Sequence, residues 1–284
     1  MAKSVFALFI MKLAEDEEIR LDLPLASYGH EYAGVSVTLT DLMSHQANLA
    51  DIDPVLLRLL PVADRHELAL RELTSARSSR REARFAAAGG GVIVLALLDR
   101  ILGGEDAMTW ACDLVADGYG LPADSLFFTC PANELARFDV NWERRGRFPI
   151  PLLAEATPEV AQERSPDFGL YATTEALWLI LQGIYQDVHG AGRVLAPSTV
   201  ELMLREHSRD SSGRRFGLWW LVEMSTHGLH GAGPRTFGAF GEAGCCIAAL
   251  DLDSGNGAAI HHASLVAPEV VARRKVLLAA SILS

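Results

Sequence analysis

Along the first fifteen residues, apolar side chains recur with helical spacing. Val5, Leu8, Phe9 and Leu13, with Lys12 among them, stand in i, i+3 and i+4 relations, and Phe6 and Ile10 add a second stripe. A helix that is apolar around most of its circumference belongs inside a domain. The pattern predicts a helix over 4–15, left by the acidic run "EDEE". "VSVTLTDLMSHQANL" (35–49) alternates like a strand and then offers Thr40 as the N-cap of a short helix. Leu-rich periodicity predicts a helix over 54–73, followed by a polar, basic loop over 74–84. "FAAAGGGVIVLALLDRILGG" (85–104) starts with small residues and becomes a buried helix closed by Gly103 and Gly104.

A further helix is predicted from "AMTWACDLVADGYGLP" (107–122). Residues 131–168 hold five of the twelve prolines and few apolar runs, which predicts a long, mostly irregular excursion. "TTEALWLILQGIYQDVH" (173–189) is amphipathic, and Pro197 stands at a first-turn position of the next helical run. After residue 213 the texture changes. "RRFGLWWLVEM", "RTFGAFGEAGCCIAALDLD" and "NGAAIHHASLV" are strand-like runs split by Gly and Asn, and "APEVVARRKVLLAASIL" closes as a helix. A helical middle followed by an antiparallel run and a terminal helix is an α+β order, not alternating βαβ.

Composition narrows the function classes. Half of the 284 residues are hydrophobic and 21% are charged, which is globular. A net charge of −11 argues against nucleic acid and against anionic membranes as partners. "AAAGGGVIVLALL" is too short for a membrane span, and Lys12 breaks the only run that imitates a signal peptide. A cytoplasmic location is expected. The four cysteines form no C-x-x-C pair. Spacing of His227, His230, His261 and His262 matches no named zinc motif, so neither a metal nor another cofactor is expected.

The order of these fragments resembles the serine β-lactamase-like superfamily: class C β-lactamases, penicillin-binding proteins and their esterase relatives. "KSVFALFIMKLAEDEEIRLDLPL" is similar to the family's first core helix and the phrase after it. "VTLTDLMSHQANL", "LPADSLFFT", "FGLYATTEALW", "RRFGLWWLV" and "FGAFGEAG" follow in the family's order. The resemblance implies a β-lactamase/transpeptidase-like fold in one domain over 1–284. An antiparallel sheet would be flanked by helices, with an all-helical lobe over about 40–210. The sheet and terminal helix would occupy about 213–284, together with helix 4–15.

Three family motifs carry the implied chemistry. In S-x-x-K, the serine attacks a carbonyl carbon and the lysine manages its proton. Aligned on "MAKS", Lys3 is the motif lysine and the nucleophile would precede Met1; no S-x-x-K tetrad occurs in the 284 residues. The Y-x-N motif falls on "FAAAGG", with Phe85 for the tyrosine and Ala87 for the asparagine. Phe has no titrating oxygen, and the Ala side chain cannot hydrogen-bond. The K-T-G motif falls on "GEAG", so Glu242 stands where a cation is usual, and Gly244 keeps the close backbone approach.

Glu242 and Lys3 are therefore the candidate catalytic groups, Glu242 as an acid or base whose pKa an apolar cleft would raise. Lys3 reads either as an anion-binding remnant or as a mobile terminal residue. Phe85, Ala87, Trp219, Trp220, Phe240 and Gly244 are the candidate substrate-binding residues. The two tryptophans are expected to alternate on a strand, one toward the cleft and one toward the core. Together with Phe85, Phe237 and Phe240 the tryptophans are expected to line an aromatic pocket for a hydrophobic ligand.

The expected function is a cleft reused for a non-hydrolytic step, such as isomerisation, cyclisation or elimination, in specialised metabolism. The alternatives are an inactive ligand-binding or scaffold subunit, and a serine esterase or β-lactamase-type hydrolase. The family's N-terminal helix and two strands lie before the matched region. Their absence predicts an open sheet edge and homo-oligomers formed through it.

Overall fold

Helix α1 (Ala2–Glu15) is buried on every side, from Val5 through Phe6, Leu8 and Ile10 to Met11. The two apolar stripes of its sequence leave no face for water, so it can only run through the core. The computed structural model describes residues 1–49, 51–53, 57, 60–75, 83–104, 106–134, 142–145, 148–151, 164–167, 169–241, 246–261, 264–265 and 268–283. Around α1 lie α2 (Leu39–Met43), α3 (Val62–Ser75), α4 (Gly90–Ile101), α5 (Ala107–Tyr119), α6 (Thr174–Val188) and α7 (Pro197–Leu204). Helix α1 packs on α5 and α7. Its last turn is tied to α7 by Glu15 Oε2, which accepts from Ala196 N at 2.8 Å.

Strands β1 (Leu126–Phe127) and β4 (Tyr171–Ala172) pair as a small antiparallel ribbon. The main sheet is antiparallel throughout. It is built from β5 (Ser208–Arg209), β6 (Arg215–Phe216), β7 (Leu221–Val222), β8 (Thr236–Phe240), β9 (Cys246–Asp251) and β10 (Gly257–His261). The strand order is β10-β9-β8-β7-β6-β5, each strand beside its neighbour in sequence. Helices α6 and α8 (Pro268–Leu283) both pack against β9 and β10.

That double cover explains the unbroken apolar run of β9, every residue of which is buried. Successive side chains point to opposite faces of a strand. Ile247 and Ala249 join Leu278 and Ala279 of α8, while Ala248 and Leu250 join the larger core around α1. A strand buried on both faces cannot alternate apolar with polar.

The stretch expected to be mostly irregular carries a small sheet, and two other expectations need correction. Within 131–168, β2 (Trp142–Arg145) and β3 (Phe148–Pro151) form an antiparallel pair, extended by β11 (Ser264–Leu265) in parallel with β2. The prolines Pro149 and Pro151 sit in β3, the outer strand of that small sheet, where a missing N–H is tolerated. The N-cap of α2 is Thr38, not Thr40. Thr38 Oγ1 accepts from Asp41 N, and Asp41 Oδ2 accepts in return from Thr38 N at 2.8 Å. Trp219 and Trp220 do not lie on a strand; they occupy the bend between β6 and β7, where Trp219 has φ +58°.

The capping box at α2 carries a direct prediction. Thr38→Ala removes one side of the reciprocal pair, and about 1 kcal/mol of stability should go with it, read as a shift of the urea midpoint. An unchanged midpoint would show that tertiary packing alone holds α2. Among the described residues no helix is long and apolar enough to cross a membrane.

Candidate functional site

Three parts of the chain converge at the amino end of α1. Met1 N donates to Phe240 O of β8 at 3.3 Å, so the helix start meets the end of that strand. Two residues on, the Lys3 side chain reaches the segment before α4. Its Nζ donates to Ala86 O at 3.0 Å and to Ala87 O at 2.6 Å. The third partner is Asp167, whose Oδ1 lies 3.3 Å from Nζ and whose side chain is fully buried. The ammonium thus donates to two carbonyls and is paired in charge with one carboxylate.

Asp167 does more than neutralise Lys3. Its carboxylate accepts from Gly89 N at 3.0 Å, Gly91 N at 3.1 Å and Val92 N at 3.1 Å, the free amides at the start of α4. A helix begins with unpaired N–H groups and a partial positive charge, and both favour a carboxylate there. Gly89, the N-cap itself, cannot supply a capping side chain and adopts φ +92°. A Cβ at residue 91 would lie 2.8 Å from Asp167 Oδ1, so the tight approach needs glycine. The cap therefore comes from a residue 75 or more positions away in sequence.

Above the clamp lies a row of rings. Phe85 stacks on Phe216 at 6.3 Å between centroids with an interplanar angle of 25°, and His45 touches both, at 4.9 and 5.1 Å. Phe216 continues to His227, and His227 to Phe240. Lys275 of α8 closes the row: its Nζ lies 4.3 Å from the Phe240 ring centre and donates to His227 O at 2.7 Å. Phe85 is 44% exposed, a large apolar surface left open to solvent.

The two histidines in this row are held neutral. Burial pushes His45 down to about 3, with the charges of Lys3, Arg214 and His227 adding to the effect. Ala86 N donates to His45 Nδ1 at 3.2 Å, which fixes that nitrogen as an acceptor. Burial likewise pushes His227 down to about 4, against the opposing pull of the Arg215 carbonyl. His227 Nε2 meets that carbonyl at 2.7 Å.

The space beside Lys3 is a cavity of about 10 Å³, room for one water. Its lining is Leu42, His45, Ala47, Leu49, Ala86, Gly90 and Trp219 besides Lys3. No hydroxyl or thiol is among them. Ser4, the nearest serine in sequence, is buried and donates to Trp219 O at 2.7 Å.

Of the residues the motifs picked out, Lys3, Phe85, Ala87 and Trp219 come together here. Lys3 is not a mobile terminal residue. Ala87 takes part through its carbonyl, which a side-chain reading does not see. Trp220 lies elsewhere, edge-on to Phe237 at 5.4 Å, and its Nε1 is buried without a hydrogen-bond partner among the described residues. Phe237 therefore does not join Phe85 in one pocket, whereas Phe240 reaches the row through His227. Glu242 and Gly244 lie outside the described residues. Asp167 and Phe216 were not expected, and His227 had been weighed only as a metal ligand. Asp167 stands in "SPDFG", with no spacing that links it to Lys3 or to α4.

One comparison shows a family, and the likenesses to solved structures show the fold. The Beta-lactamase family profile matches residues 1–281. Among solved structures the chain is similar to EstA from Arthrobacter nitroguajacolicus Rue61a, with TM-score 0.77, 18% identity, and 99% of this chain and 82% of that one covered. It is similar to a penicillin-binding protein homologue from Caulobacter crescentus, with TM-score 0.69 and 20% identity over 98% of this chain and 81% of that one. A class C β-lactamase from Rhodobacter sphaeroides gives TM-score 0.70 and 16% identity over 100% and 84%. At such identities these likenesses concern the fold alone. No curated protein matches the sequence.

Proposed function

The chain belongs to the Beta-lactamase family, and we propose that residues 1–284 use its cleft to hold a small organic ligand without serine acyl transfer. One observation carries this reading. The Lys3 ammonium donates to Ala86 O and Ala87 O and pairs with Asp167, and no hydroxyl is among the described residues that line the cavity it faces. A lysine that manages the proton of a nucleophile must have a free lone pair in some step and a hydroxyl within reach. Lys3 here acts as a structural cation. The exposed face of Phe85, backed by Phe216, offers a flat apolar or aromatic ligand a stacking surface.

The reading in which the cleft promotes isomerisation, cyclisation or elimination needs an acid or base beside that surface. Lys3 and His45 are both committed to other partners, so of the groups picked out from the sequence it rests on Glu242, which lies outside the described residues. The relatives named as esterases and as β-lactamase make hydrolysis the outcome to test against.

The experiment is a panel of nitrocefin, p-nitrophenyl esters and a fluorophosphonate probe on the 284-residue chain. No turnover and no covalent label are expected. Hydrolysis or labelling that disappears in a Lys3→Ala variant would overturn the proposal, because Lys3 would then be serving a nucleophile. An aryl ligand quenching or shifting the fluorescence of Trp219, which lines the Lys3 cavity, would support it.

A further inference from the structure

A second concavity lies at the other end of β8. Phe240, at one end, meets the start of α1, while Thr236, at the other, lines a groove of about 360 Å³. Four residue steps of a strand separate the two by about 13 Å. The volume falls within the range of small-molecule sites. The floor is apolar: Val188, Val200, Leu204, Val222, Phe237 and Leu252. It is formed where the ends of α6 and α7 cross strands β7 to β9.

The rim carries six charges, three arginines and three glutamates. Four of them are paired with one another or with a neighbouring charge. Arg215 pairs with Glu223 and lies 3.4 Å from Glu206, and Glu206 also pairs with Arg209 at 3.0 Å. Arg235 pairs with Asp253 at 3.0 Å. Arg205 and Glu201 are different. They stand four residues apart at the end of α7, where neighbouring side chains have Cβ atoms about 5–6 Å apart. No ion pair joins them, and neither side chain has a hydrogen bond among the described residues. Both line the groove.

An apolar floor beneath one open cation and one open anion is complementary to a zwitterion with an apolar body. We propose that this groove binds a free α-amino acid or short peptide bearing a hydrophobic side chain. Arg205 takes the carboxylate, to which a guanidinium fork is matched, and Glu201 takes the ammonium. The side chain enters between Leu204 and Phe237. The site is separate from the Lys3 cleft and shares no lining residue with it.

The test is isothermal titration calorimetry with three probes: L-phenylalanine, octanoate, which keeps only the carboxylate, and phenethylamine, which keeps only the ammonium. L-Phenylalanine is expected to bind, and each single-charge probe to bind at least about tenfold more weakly. Arg205→Gln and Glu201→Gln should each weaken L-phenylalanine about tenfold while leaving the melting temperature unchanged, since both side chains are exposed. No heat with any probe at millimolar concentration overturns the proposal. Binding of L-phenylalanine that neither variant alters overturns the assignment to this groove. Octanoate binding as tightly as L-phenylalanine overturns the zwitterion. Hydrolase assays on the same variants keep this result independent of the one at Lys3.

Discussion

An Asp167→Ala variant is expected to lose about 3–5 kcal/mol, the cost of breaking a buried ion pair, plus about 1 kcal/mol for the lost helix cap. The pair deserves the larger figure because Asp167 is fully buried and the Lys3 side chain is only 12% exposed. Removing the carboxylate strands an ammonium in an apolar wall and leaves the amides of Gly89, Gly91 and Val92 without an acceptor. Domains of this kind have total stabilities of about 5–15 kcal/mol, so the variant stands near the limit of folding. Asp167→Asn keeps an acceptor for part of the cap and loses the charge, and should fall between the two. Adding Lys3→Met to Asp167→Asn should then recover stability, because no buried charge remains to be matched. Urea unfolding of the four proteins measures this directly. If Asp167→Ala unfolds within about 1 kcal/mol of the parent, or the added Lys3→Met lowers stability further, the clamp is not what holds Lys3.

The second large effect is acid sensitivity. His45 and His227 have folded-state values near 3 and 4, both below the ordinary imidazole value of 6.5. Between those limits the unfolded chain binds protons that the native state refuses, so stability rises with pH there. The contribution is complete above pH 6.5. It is lost as pH falls toward 4 for His227 and toward 3 for His45. The limiting cost is about 1.4 kcal/mol per pH unit per histidine and flattens toward each end of the window, so the pair removes about 5 kcal/mol between pH 6.5 and 4. That is comparable with the whole stability of a domain. The protein is therefore expected to unfold between pH 6 and 4, before its ordinary carboxylates titrate. His45→Asn offers an acceptor to Ala86 N without a titrating ring, and should halve the slope of urea midpoint against pH in that window. A midpoint flat from pH 7 to 4 would refute the burial argument for both rings.

The helices and strands were largely legible because each carries its own period. Helix α1 announced its central place by having no polar face. Helix α7 starts at Pro197, as its residues alone suggested. The failures were local contests between similar signals. Thr38 and Thr40 are both competent caps, and only the reciprocal bond with Asp41 chooses between them. "GLWWLV" carries strand-forming residues, but Trp219 N is drawn to Met43 O at 2.7 Å and Leu218 N to Met203 O at 2.9 Å, which bends the chain between β6 and β7.

At the site the division is sharper. Which side chains are present was decided by the sequence: a lysine at 3, a phenylalanine at 85, an alanine at 87, and no S-x-x-K anywhere in the 284 residues. What those side chains do was decided only by folding. Lys3 became a clamped cation because α1 carries it to the carbonyls of Ala86 and Ala87, and because a loop from far along the chain delivers Asp167 to the same point. Periodicity reports on neighbours three, four or two residues away, along one helix or one strand. A bond between residues 3 and 167, or an aromatic row drawn from five separate segments, leaves no mark at those spacings, since long-range contacts follow from how the elements pack.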